Sequence, residues 1–71
     1  MTKEVIEVCI YSIKDRKENN NMSKWRYRNL LKTKQWKNNE DVKRAYNSCI
    51  ERNKFFNLCL KELNIELLKI S

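Results

Sequence analysis

The stretch KENNN, residues 17–21, separates the first part of this chain from the rest. It is wholly polar. Three consecutive Asn can make a tight turn where Gly is lacking, because the short amide side chain bonds to nearby backbone and tolerates left-handed dihedrals. The stretch therefore predicts a linker, with Ser23 placed to cap the element that follows. On either side of it the apolar residues follow helical spacing.

Before the linker, Val5, Ile6, Cys9, Ile10 and Ile13 form one apolar arc when placed on a helix, with Glu4, Glu7, Lys14, Asp15 and Glu18 opposite. Thr2 is the expected N-cap, and the helix is expected over 2–17. The β-branched content and the alternation of Ile6, Val8 and Ile10 keep a strand as the competing reading. After the linker, residues 24–35 suggest a second helix. It would turn Tyr27, Leu30 and Leu31 to a core and Trp25, Asn29, Lys32 and Trp36 to nearly the opposite side.

The helical signal is strongest beyond KNNED, residues 37–41. Asn39 suits an N-cap, and Glu40 and Asp41 suit the positive end of a helix. Val42, Cys49, Phe56, Leu63 and Ile70 recur every seven residues, and Tyr46, Asn53, Leu60 and Leu67 follow four residues later. One helix over 39–70 would be about 46 Å long. A bend near ERNK, residues 51–54, would make it two. The first helix is expected to lay Ile6, Cys9, Ile10 and Ile13 on Cys49, Phe56, Leu60 and Leu63. Phe55, Leu58, Ile65 and Leu68 lie off this seam and form a candidate oligomer interface, because one long helix in so small a chain needs a partner to cover its stripe.

These elements predict a single all-α domain over 1–71, a small three- or four-helix bundle. The alternative is a β-hairpin packed on a long C-terminal helix. The 71 residues include no Gly and no Pro, which disfavours a many-turned β fold. A core this small is thin.

Charge is distributed unevenly. The chain carries +7, yet residues 1–23 are neutral and residues 38–71 hold only +1. The segment KWRYRNLLKTKQWK, residues 24–37, holds six bases and no acid. Lys and Arg neutralise phosphates and release counterions, and Trp and Tyr stack on bases. Lys24, Trp25, Arg26, Arg28, Lys32, Lys34, Trp36 and Lys37 are therefore the candidate binding residues. The expected partner is nucleic acid or an acidic protein surface, with a homodimer as a further possibility.

Catalysis is not expected. There is no His, no Gly-rich phosphate loop and no spaced carboxylate cluster, and the cysteines lack a His base. Cys9, Cys49 and Cys59 are an odd set without C-x-x-C spacing, too few for a four-ligand zinc site. They point to reduced, packed thiols in a cytoplasmic protein, with no metal and no cofactor. No stretch has the length and apolarity of a transmembrane segment, and the N-terminal residues lack a signal-peptide pattern. Eleven Lys and ten Asn suggest an AT-rich genome, such as that of a low-GC bacterium or its phages. That source makes a phage-type inhibitor, which blocks a host protein, the second functional expectation. YRNLLK, residues 27–32, has a passing resemblance to the leucine-tyrosine-arginine motif of small mitochondrial assembly proteins. Arg26 stands where that motif has Leu, and no role is carried over from it.

Overall fold

The structure, a computed structural model, describes residues 2–70. It consists of two helices, α1 (Lys3–Leu31) and α2 (Glu40–Ile70), joined by residues 32–39. They pack side by side as a helical hairpin, a rod of 52 × 14 × 13 Å. The chain is all-helical as expected, but it is not a three- or four-helix bundle, and no strand occurs among the described residues.

The difference arises at KENNN. Residues 17–21 are helical, and α1 passes through them without a break. Ser23 lies inside the helix rather than at its start. Asn is a poor helix former, at roughly 0.7 kcal/mol per residue below Ala, so three in a row weaken the segment without forbidding it. Tertiary structure supplies what local preference lacks. Asn20 is buried, and its Nδ2 donates to the Cys49 carbonyl at 2.7 Å. Asn19 and Asn21 face solvent, where their amides are hydrated.

That bond sets the register. The helices run antiparallel, so equal steps away from Asn20 and Cys49 reach paired layers. Stepping by sevens places Ile13 level with Phe56, Ile6 with Leu63, and Tyr27 with Val42. The interleaved layers are Ile10 with Leu60, Lys17 with Asn53, and Lys24 with Tyr46. Ile6, Ile10, Val42 and Cys49 are buried, and the remaining apolar seam residues are half-buried apart from Ile70, which is exposed at the end of α2. The expected pairing of Ile6, Cys9, Ile10 and Ile13 with the C-terminal half holds for Phe56, Leu60 and Leu63 by register. Cys49 lies elsewhere, opposite Asn20. Val5, expected in the apolar arc, is exposed. The seam is apolar toward both ends and polar in the middle, where α1 contributes Lys17, Asn20 and Lys24.

Two of the three expected caps form. Thr2 Oγ1 accepts from the Val5 N–H at 3.3 Å, and Asn39 Oδ1 accepts from the Val42 N–H at 3.0 Å. The predicted long C-terminal helix is a single one, with no break at residues 51–54. Its seam needs no second copy to cover it, because α1 is nearly as long. The connection also departs from expectation. None of the described residues has positive φ, so Asn is not used for left-handed turns. After Leu31 the chain winds on in right-handed turns. The Lys32 N–H bonds to the Asn29 carbonyl at 3.2 Å, and the Thr33 N–H and hydroxyl both bond to the Leu30 carbonyl, at 3.0 and 2.6 Å.

The polar layers generate two opposite expectations. Asn20→Ala removes the bond to Cys49 and leaves a carbonyl facing a void, which should cost about 1–2 kcal/mol. Asn53 Oδ1 is buried with no hydrogen-bond partner. Asn53→Leu should therefore stabilise the hairpin by about 1 kcal/mol or more, raising Tm by several degrees in thermal unfolding followed by circular dichroism.

Candidate functional site

The basic segment occupies one end of the rod. Lys24, Arg26 and Arg28 belong to the last two turns of α1, Lys32 is its C-cap, and Lys34 and Lys37 lie in the turns that lead to α2. The helix expected over 24–35 therefore ends early. Trp36 is on the connection, not on a helical face shared with Trp25.

Part of this charge has a local role. The last turn of α1 ends in carbonyls and carries the negative pole of the helix dipole, which favours Arg28 and Lys32. Lys24 is half-buried on the seam and is less available than the rest. Arg26, Lys34 and Lys37 are exposed and serve neither purpose. Among the described residues, none of the six cations forms an ion pair. The ion pairs, all exposed and three residues apart, lie within α2: Lys43–Glu40 at 3.7 Å, Arg44–Asp41 at 4.0 Å, Lys54–Glu51 at 3.3 Å and Lys69–Glu66 at 3.2 Å.

The first two pairs matter here. Glu40 and Asp41 sit at the same end of the rod and are the nearest acids in sequence beyond the basic segment. Each is engaged by a cation one turn along its own helix, so they do not offset residues 24–37. Lys43 and Arg44 were not legible as part of this end from the sequence. Only the hairpin return brings the start of α2 beside the end of α1.

Both tryptophans are exposed, Trp25 at 65% and Trp36 at 37%. The seam runs along Tyr27, Leu30 and Leu31, all half-buried as the spacing predicts, and Trp25 points away from it. Shallow hollows lie on either side of Trp25. One, of about 410 Å³, is lined by Glu18, Asn21, Met22, Trp25 and Arg26. The other, of about 420 Å³, continues through Arg26, Asn29, Leu30 and Thr33. A flat ring could lie along either wall of the indole beside a guanidinium.

The cysteines lie away from this end and are free thiols, Cys49 buried and Cys9 and Cys59 half-buried. No cluster of His, Cys, Asp or Glu with the makings of a metal site occurs among the described residues. No helix among them is long and apolar enough to cross a membrane. No family model matches the chain, and neither a curated protein nor a solved structure matches it.

The exposure of the indoles has a direct spectroscopic consequence. Trp36→Phe leaves Trp25 as the only tryptophan and should give red-shifted emission, strongly quenched by acrylamide. Blue-shifted, weakly quenched emission would mean that the ring is covered.

Proposed function

We propose that this is a non-enzymatic nucleic-acid-binding protein that holds an anionic strand at the loop end of its hairpin. One observation carries the reading: two exposed tryptophans stand within a segment of six cations that have no carboxylate partner among the described residues. Exposed indoles are unfavourable in water, and neither Trp25, on the outer face of α1, nor Trp36, on the connection, is buried in the helix seam. Bases provide flat faces for them to stack on, worth about 1–3 kcal/mol each.

Arg26 and Arg28 are suited to two-point contact with phosphates, and Lys32, Lys34 and Lys37 to point-charge contact. Single-stranded nucleic acid fits best, because its bases are open to stacking. Lys43 and Arg44 neutralise Glu40 and Asp41 at the same end, so these carboxylates do not oppose an anionic strand.

Binding of a fluorescent oligonucleotide, followed by anisotropy across a salt series, tests this reading. If about six phosphates are contacted, log affinity should fall with log salt with a slope of roughly −4 on single strands and −5 on duplex. Lys32→Glu, Lys34→Glu and Lys37→Glu together should abolish binding, and all three residues are exposed, so the fold should survive. Trp25→Ala should weaken single-strand binding by about tenfold or more without changing the salt slope. Unchanged affinity in the triple variant would overturn the proposal. A nuclease-resistant protein partner recovered through this segment, with no affinity for oligonucleotides, would replace it with the inhibitor reading.

A further inference from the structure

The two edges of the helix seam differ in charge. Two hollows fix which residues share an edge. On one edge Arg16, Asn19 and Ser23 of α1 line a hollow with Arg52 of α2. On the other, Glu7, Ile10 and Lys14 of α1 line one with Asn64 of α2. Steps of three and four residues extend each edge along the rod, because such positions stack on one side of a helix.

From Lys14 these steps pass through Lys17, Asn21, Lys24 and Arg28 to Lys32, and every position in the row is a cation or an amide. The facing row of α2 runs from Lys61 through Asn57, Asn53, Ile50 and Tyr46 to Lys43, again without an acid. Glu7 closes this edge at its far end. Glu18 borders it on the outer face of α1, in the hollow beside Trp25. The opposite edge is mixed. There the same steps from Arg16 and Arg52 reach Arg26 on α1, and Asp41, Glu62 and Glu66 on α2.

Among the described residues, Lys43 alone of the cations in these two rows forms an ion pair, with Glu40. Lys17 and Lys24 are half-buried. Long basic side chains in such places lay their stems on apolar surface and keep their heads in water. Like charges gathered along one edge repel one another and oppose the compact state. The hairpin has no need of them, since its seam is made by the apolar layers and the Asn20 bond. The row is also continuous with the basic end. Arg28 and Lys32 belong to both, and Trp25 stands one turn from Asn21.

We infer that the bound strand does not end at the loop but runs on along this edge of the seam, with its phosphates on the row from Lys32 back to Lys14 and on Lys61. The row is about 27 Å long by helix rise. Nucleotides of a stacked strand are about 3.4 Å apart, so the site covers about eight of them. Trp25 takes a base at the side of the row, and the cations take the backbone. This inference rests on the nucleic-acid reading and extends it from one end of the rod to most of one edge.

Anisotropy with oligothymidylates of about four and about twelve nucleotides is the experiment, because only the longer one covers the row. The wild type should bind the longer strand with a steeper salt slope, and more tightly by well over the roughly tenfold that its additional registers supply. Lys14→Glu with Lys61→Glu should weaken binding of the longer strand about tenfold or more and flatten its salt slope by about 1.4, leaving the shorter one within about threefold. Arg16→Glu with Arg52→Glu makes the same change in net charge on the opposite edge and should leave both strands within about threefold. All four side chains are exposed, so both variants should keep the wild-type circular dichroism spectrum. Equal losses in the two double variants overturn the inference, since net charge alone then accounts for them. So does a wild type with one salt slope for both lengths, a result that leaves binding at the loop end intact. A wild type with no affinity for either strand overturns the nucleic-acid reading itself, and this inference with it.

Discussion

Everything in this molecule depends on two helices of almost equal length sharing one seven-residue repeat in opposite directions. A lone amphipathic helix is marginal in water, and most of its stability comes from the face it packs. Here each helix is the other's only cover. The Asn20–Cys49 bond then selects one alignment among those the repeat allows. A slip by one heptad would set the Asn20 amide against Val42 or Phe56, whose bulkier side chains stand where the small Cys49 lets it reach the backbone, and a buried amide left unsatisfied costs about 1–3 kcal/mol. A single polar residue in a helical seam is a familiar device for choosing register at some expense of stability.

The same polar middle divides the rod energetically. The layers Ile6–Leu63, Ile10–Leu60 and Ile13–Phe56 are apolar on both sides. The central layers contain Lys17, Asn20, Asn53 and Lys24. Four exposed ion pairs along α2 add little, since such pairs contribute at most a fraction of a kcal/mol each. Cooperativity across the middle therefore rests on Asn20 and on the continuity of the two helices. Local opening is expected to begin at the loop end, where the cover on α1 is thinnest.

A two-helix seam also explains why so much chemistry is left at the surface. Two packed cylinders bury one stripe on each and expose everything else. On α1 the uncovered side carries Val8, Tyr11, Met22 and Trp25; on α2 it carries Phe55, Leu58, Ile65 and Leu68. The two surfaces differ in their electrostatic setting. The α1 surface runs into a strongly basic end, residues 24–37. The α2 surface is balanced in charge, with six cations and five carboxylates along the helix.

The sequence by itself determined the helical class, the N-caps Thr2 and Asn39, the seven-residue seam of α2 and the concentration of positive charge in residues 24–37. These are local or periodic properties, set by side-chain chemistry and by 3.6-residue geometry. It also isolated the second apolar stripe, because residues off a clean repeat are visible as a remainder. What it did not disclose was that residues 17–21 are helix. Three Asn predict a turn when only near neighbours are weighed. The outcome was decided by a carbonyl nearly thirty positions away, at Cys49, that accepts from the middle Asn. That one long-range bond, with the return of α2 alongside α1, turned a chain expected to form three or four helices into a hairpin of two. It also joined Lys43 and Arg44 to the basic end. Local preference is worth a few tenths of a kcal/mol per residue, and buried tertiary contacts override it.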